Sequence, residues 1–320
     1  MRRRFYVLAV FAAVTAATVI RAQVRVDVRL VNVIATVTDT HGRYVSNLAA
    51  NDFTLEEDGN VQAISHFSQD QEVPVSVGVL LDTSGSMDRK IRTAVDSVDR
   101  FIHRIRQDDE IFLITFSGQA VLRQDFTDNR DKLSQALRHI TPTGGTALYD
   151  ALNEGLTKLR SAHHSKRALL VITDGQDTAS VSKLEHAVQA IRASEVLVYP
   201  IGISSLTYAG NSSPPSIKAV SALMFTKKTS ESRRDDVDLN VLRTLAESSG
   251  GRPFLLAESF SGRGAQIEKV LDVIADELRS QYTLGFYPAR PDDGRYHQLH
   301  VRVRTGDQVR ARRGYIATAS

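Results

Sequence analysis

Apolar and polar residues alternate from Val24 to Thr38: Val24, Val26, Val28 and Leu30, then Val31, Val33, Ala35 and Val37. The slip in phase at Leu30-Val31 predicts a bulge or a strand that changes faces. Asp39-Thr40-His41-Gly42 reads as a turn. Phe53 to Glu57 alternates again, and Asp58-Gly59-Asn60 makes a tight turn into Val61 to Phe67. Three or four strands are therefore expected here, too few for a confident domain of their own.

From Val75 the rhythm changes. Val75 to Leu81 is almost wholly apolar, the signature of a strand buried on both faces of a parallel sheet. Asp82-Thr83-Ser84-Gly85-Ser86 breaks the run, and a helix is expected from Asp88 to Arg106, with Ile91, Val95, Val98, Ile102 and Ile105 on one face. Glu110 to Phe116 predicts a strand and Val121 to Phe126 an edge strand. Asp131 to Ile140 and Ala147 to Arg160 predict helices, joined by a loop holding Gly144-Gly145-Thr146. Arg167 to Thr173 predicts a buried strand ended by Asp174-Gly175, followed by a helix over Val181 to Ala193 and a strand over Val196 to Ile203. Strands alternating with helices point to a doubly wound, mainly parallel α/β sheet with helices on both faces.

Ser204 to Asn240 interrupts this order with a polar stretch, read as an excursion over a binding loop. Leu239 to Ser248 resumes as a helix stopped by Gly250-Gly251, then a strand over Pro253 to Leu256 and an amphipathic helix over Gln266 to Gln281. Three β segments close the chain: Tyr282 to Tyr287, Gln298 to Arg304 and Val309 to Ile316. Both ends are thus β. Neither has enough strands to stand alone, so they are expected to pair into one small β-sandwich into which the α/β domain is inserted. The expected organisation is a signal peptide at 1–22, an N-terminal β segment at 24–72, the α/β domain at 73–281, and a C-terminal β segment at 282–320 that packs with the first.

Composition changes this picture at three points. The net charge of +3 over 320 residues, with acids and bases interspersed, gives no reason to expect nucleic acid. The cluster Arg302, Arg304, Arg310, Arg312 and Arg313 is read as solvated strand faces. Arg2-Arg3-Arg4 followed by an apolar run from Phe5 to Ile20 reads as a secretory signal with cleavage after Ala22, the alternative being an uncleaved anchor, which would be the chain's one route to a membrane. An exported protein, periplasmic or at the cell surface, is the expectation. With no cysteine, disulfides and thiol chemistry are excluded.

The candidate chemistry lies on three loops. Ser84 and Ser86 alternate in one tight loop and can offer two neutral oxygens to a single cation, with Asp82 behind them. Thr146 follows two glycines and precedes a helix; Asp174 ends a neighbouring strand. All three loops leave the carboxyl edge of the sheet, where doubly wound folds bind ligands. Asp174-Gly175-Gln176-Asp177 offers a further carboxylate, Asp177, read as a solvated turn; Asp150 reads as a helix-surface residue, and Thr143 as a neighbour that could orient Thr146. His163-His164 lacks a third ligand at zinc spacing.

Taken in order, Asp82-Thr83-Ser84-Gly85-Ser86, Thr146 within Thr143-Gly144-Gly145-Thr146-Ala147-Leu148-Tyr149-Asp150, and Thr173-Asp174-Gly175 resemble the metal-ion-dependent adhesion site of von Willebrand factor type A domains, over about Val75 to Gln281. The flanking β pieces resemble exported bacterial proteins that carry such a domain. The resemblance implies Mg²⁺ (or Mn²⁺) held by Ser84, Ser86 and Thr146, with Asp82 and Asp174 acting largely through water. An ion held by neutral hydroxyls keeps much of its charge and attracts an Asp or Glu side chain of a protein partner. The function expected is therefore a non-enzymatic, cation-dependent adhesion or scaffold module, with no catalytic residue. Two alternatives stand beside it. One is a structural component of an envelope complex in which the ion only stabilises. The other is a metal-dependent hydrolase, against which count the missing Gly-x-Ser-x-Gly elbow and the lack of a His base at a strand end.

Overall fold

The computed structural model describes residues 30–69, 73–207, 237–258, 263–288 and 293–317. The expected signal peptide and most of the polar excursion lie outside these residues.

A six-stranded sheet forms the centre of the α/β domain, in the order β10-β9-β8-β5-β6-β7. Its members are β5 (Val75–Asp82), β6 (Glu110–Phe116), β7 (Ala120–Thr127), β8 (Lys166–Thr173), β9 (Leu197–Thr207) and β10 (Phe254–Glu258). All neighbours run parallel except β6 and β7. The all-apolar run of β5 has its physical cause here: the strand lies between β6 and β8, and every one of its residues is buried.

One face is covered by α1 (Ile91–Arg104), α2 (Arg130–Ala136) and α6 (Arg263–Arg279), through Val98, Phe101, Ile102, Leu133, Ile274 and Leu278 against Val77, Val79 and Leu81. The opposite face is covered by α3 (Leu148–Leu159), α4 (Leu184–Ala193) and α5 (Leu239–Ser249), through Leu152, Leu156, Ile191 and Leu245 against Leu80, Leu169 and Val171. Gly78 lets these layers close. A Cβ there would fall 2.4 Å from Phe112 Cζ and 2.6 Å from Leu169 Cδ1.

The two chain ends build two antiparallel sheets together. One has the order β13-β1-β11-β4 and the other β14-β12-β2-β3. Here β1 is Val31–Thr38, β2 Phe53–Glu57, β3 Asn60–Gln62, β4 His66–Ser68, β11 Gln281–Phe286, β12 Tyr296–Val303, β13 Gln308–Ala311 and β14 Gly314–Ile316. N-terminal β1 pairs with C-terminal β11 and β13, and β2 pairs with β12. Val33, Ala35, Val37, Leu55, Tyr282, Leu284 and Phe286 fill the space between the sheets.

Four expectations need correction. The segment Val309 to Ile316 is two strands in different sheets, β13 and β14, because the chain crosses between layers at Arg312. That side chain is buried, and its guanidinium donates to the Asn32 carbonyl at 2.5 Å and the Ser194 carbonyl at 3.2 Å. Arg310 is likewise no solvated residue, since it pairs with the fully buried Glu277 at 2.6 Å. The helix expected from Val181 begins at Leu184; Val181 is 94% exposed and its amide donates to Asp150 Oδ2. The helix expected from Asp131 to Ile140 is α2, ending at Ala136.

Candidate metal centre

Asp82 is the last residue of β5, buried between β6 and β8. Its carboxylate is bonded on both oxygens. Oδ1 accepts from the Ser84 amide at 2.8 Å, which turns the chain back over the strand end, and Oδ2 accepts from Thr173 Oγ1 at 2.6 Å. Burial pushes the Asp82 carboxyl up to about 6, with the charge of Asp174 adding to the rise and the hydrogen bonds from Ser84 and Thr173 partly offsetting it.

The turn that Asp82 organises places Ser84 Oγ and Ser86 Oγ 3.0 Å apart. Ser84 is buried and Ser86 exposed, so the pair stands at the boundary between interior and solvent. Gly85 to Met87 then forms a single 3₁₀ turn before α1.

Backbone hydrogen bonds fasten the second loop to the first. The Gly85 amide donates to the Gly144 carbonyl at 3.1 Å, and the Thr143 amide to the Thr83 carbonyl at 2.8 Å. Thr143 thus acts through its backbone. Gly144 takes φ +73°, a conformation suited to glycine, and Thr146 follows, 4% exposed. The Thr146 amide donates to Thr178 Oγ1 at 2.9 Å, and its carbonyl accepts from the Thr178 and Ala179 amides. The third loop begins at Asp174, 1% exposed, behind the Thr173 hydroxyl that Asp82 binds. The structure therefore brings Asp82, Ser84, Ser86, Thr146 and Asp174 onto three loops at the carboxyl edge, tied by direct bonds between the loops.

Asp177 has a role that its sequence context hid. Helix α3 starts at Leu148, and the residue before it, Ala147, offers no side-chain cap. Asp177 Oδ1 supplies one from the neighbouring loop, accepting from the Leu148 amide at 2.8 Å, the Tyr149 amide at 3.3 Å and Ser180 Oγ at 2.6 Å. Asp150 answers in the other direction, accepting from the Val181 and Ser182 amides. His163 lies at the opposite end of the sheet, where Nδ1 meets Glu110 Oε2 at 2.7 Å.

The donor set suits a small hard cation. Oxygens at adjacent corners of an octahedron with metal–oxygen bonds of roughly 2.0–2.1 Å are about 2.9 Å apart, whereas the longer bonds of Ca²⁺ would require about 3.3–3.7 Å. The two serine hydroxyls are hydrogen-bonded to each other at 3.0 Å, a separation that adjacent ligands of the smaller ion could keep. Among the described residues no group of three or more His, Cys, Asp and Glu is placed to hold an ion, so the oxygens gathered here differ from a carboxylate cage.

Comparison with known proteins bears on the same segment. The family model for the von Willebrand factor type A domain matches residues 77–176, from within β5 to just beyond Asp174. The chain contains a von Willebrand factor type A domain. A solved von Willebrand factor type A structure from Catenulispora acidiphila has the same fold, with a TM-score of 0.50 at 12% identity, covering 91% of this chain and 74% of that one. Inter-alpha-trypsin inhibitor heavy chain H3 of Bos taurus is 29% identical over 161 residues, which is 44% of this chain and 18% of that protein. An uncharacterized protein of Synechocystis sp. is 26% identical over 112 residues, 34% of this chain and 27% of that one. The matched part thus spans less than a third of either curated relative. Domains of this family are commonly protein-interaction or adhesion modules. Among the described residues, no helix is long and apolar enough to cross a membrane.

Proposed function

We propose that this chain is an exported, cation-dependent protein-binding module of the adhesion or scaffold kind. Mg²⁺ (or Mn²⁺) would be held by Ser84, Ser86 and Thr146, with Asp82 and Asp174 acting through water. The observation that carries the reading is the pair of hydroxyls 3.0 Å apart at the solvent edge of a buried, doubly bonded carboxylate. When bound, the ion supplies a Lewis-acidic, incompletely neutralised positive centre, and the partner group suited to it is an Asp or Glu carboxylate. The chain's own residues do the rest. Asp82 holds the Ser84 amide and so sets the serine pair, the Gly144 loop that carries Thr146 is bonded to the Gly85 amide, and Thr173 keeps Asp82 from turning away. Export to the periplasm or cell surface is supported by the basic, then apolar, N-terminal sequence.

The test is isothermal titration of the purified chain with Mg²⁺, against Asp82→Ala. Saturable binding in the wild type and its loss in a folded variant is the expected result; equal binding in both would refute the site. Recovery of interacting proteins from an envelope extract with and without chelator tests the second half. A partner retained equally well in chelator would assign recognition to other surfaces.

A further inference from the structure

A buried charge that the metal-site reading does not use lies directly beside the site. Lys90 precedes α1 and is 4% exposed, and its ammonium lies 3.9 Å from Asp174 Oδ2, with the two side chains 3% and 2% exposed. A buried ammonium and carboxylate are costly to desolvate, and such a pair is weak ground for stability alone. Its position beside one of the two carboxylates of the site points to a role in charge.

We infer that Lys90 is a positioning residue that sets the charge of the centre and thereby couples cation binding to an anionic partner group. The inference rests on the metal site proposed above. Asp82 and Asp174 together carry two negative charges, which a divalent ion alone would cancel. Without a further cation such a centre would attract an incoming carboxylate less strongly. With Lys90 in place the loaded centre carries one more positive charge than without it, in a partly buried setting where charge interactions are strong. Before loading, the same ammonium already offsets one carboxylate, so a cation arriving alone is held less tightly. Cation and carboxylate then bind best together, and by linkage each strengthens the other by the same factor.

Lys90→Met removes the charge and keeps much of the length and apolar stem. Mn²⁺ affinity is measured on the full chain at neutral pH by electron paramagnetic resonance of free Mn²⁺, in chloride and with chloride replaced by acetate at constant ionic strength. Lys90→Met is expected to bind Mn²⁺ alone about tenfold more tightly or better than the wild type. Acetate is expected to strengthen Mn²⁺ binding several-fold in the wild type and clearly less in the variant. Lys90→Arg, which keeps the charge, should stay close to wild type. If circular dichroism shows Lys90→Met to be unfolded, Lys90→Gln takes its place. Mn²⁺ binding by the neutral variant no tighter than wild type, or an undiminished acetate effect, would overturn the inference while leaving the metal site standing. A folded wild type that binds no Mn²⁺ would remove both.

Discussion

Arg310 and Glu277 form an ion pair of 2.6 Å between strand β13 of the terminal sandwich and helix α6 of the α/β domain. Glu277 is fully buried, and it also meets Arg252 at 3.2 Å and accepts from Tyr199 Oη at 2.7 Å. Burial alone would push the Glu277 carboxyl up; the two guanidiniums and the Tyr199 hydroxyl outweigh it and hold the carboxyl below its ordinary value. Gly250 supports the same junction. At φ +86° it ends α5, and a Cβ there would lie 2.5 Å from the Arg312 amide. The chain ends are thus fastened to the α/β domain by charge as well as by the peptide links.

Removing one partner of a buried pair leaves the other charge uncompensated, which typically costs 3–5 kcal/mol. Arg252 stays within 3.2 Å of Glu277, so Arg310→Met is expected near the lower end, about 3 kcal/mol, measured by urea unfolding. Glu277→Gln, which replaces the buried charge by a neutral acceptor, should cost less than Arg310→Met. The reverse order would show that Arg252 alone compensates Glu277 and that the two guanidiniums depend on its charge.

Gly78→Ala is expected to destabilise by about 1–3 kcal/mol, since overpacking forces neighbours off their rotamers. The added methyl would strike Phe112 and Leu169, both buried in the sheet's own layer. Pairing it with Phe112→Leu, which makes room on one side, should recover part of the loss in a double-mutant comparison.

Asp177→Ala removes the cap of α3 and should lower stability by about 1 kcal/mol, with Asp177→Asn retaining part of it. Because Thr146 lies two residues before the start of α3, Mg²⁺ affinity should fall in Asp177→Ala as well. Thermal unfolding and Mg²⁺ titration on the same preparations separate the two effects.

The sandwich carries a pH dependence centred on His297. Nδ1 meets Asp58 Oδ2 at 2.8 Å and Nε2 meets Asp293 Oδ1 at 3.0 Å, while Glu57 lies 3.9 Å away and Tyr315 stacks on the ring at 5.4 Å. Burial alone would lower the pKa of His297, but hydrogen bonds to Asp293 and Asp58 outweigh it, so the net shift is upward from 6.5. A group whose folded pKa is raised contributes stability that is complete below pH 6.5 and is lost as pH rises through the folded value. Asp58 and Asp293, with lowered pKa values, contribute above pH 3.8 and lose that contribution as pH falls. Urea midpoints taken between about pH 5.5 and 8.5 should therefore decline more steeply for the wild type than for His297→Gln. Asp82, raised to about 6, adds a slope of the same sign, which cancels in the difference between the two proteins.

Elements that depend on local pattern are legible in the amino-acid order alone. The apolar run of Val75 to Leu81 can satisfy its side chains only between two neighbouring strands, and β5 lies there. The ordered recurrence of Asp82-x-Ser84-x-Ser86, Thr146 and Asp174 after strands or glycines placed three polar loops at one sheet edge. The incomplete β segments at either end required each other, and β1 does pair with β11 and β13. Other features emerge from the folded chain, because they depend on partners distant in sequence. Asp177 reads as a turn residue until α3 is seen to begin without a cap of its own. Arg310 and Arg312 read as solvated strand positions until Glu277 and the Asn32 carbonyl are brought against them. Lys90 lies unremarked in the expected helix from Asp88 until its ammonium is found beside Asp174. Periodicity reports which side of an element is buried, because burial repeats with the backbone. It carries no record of which charge or unsatisfied amide waits on the element packed against it, and the polar contacts that set this centre are of that kind.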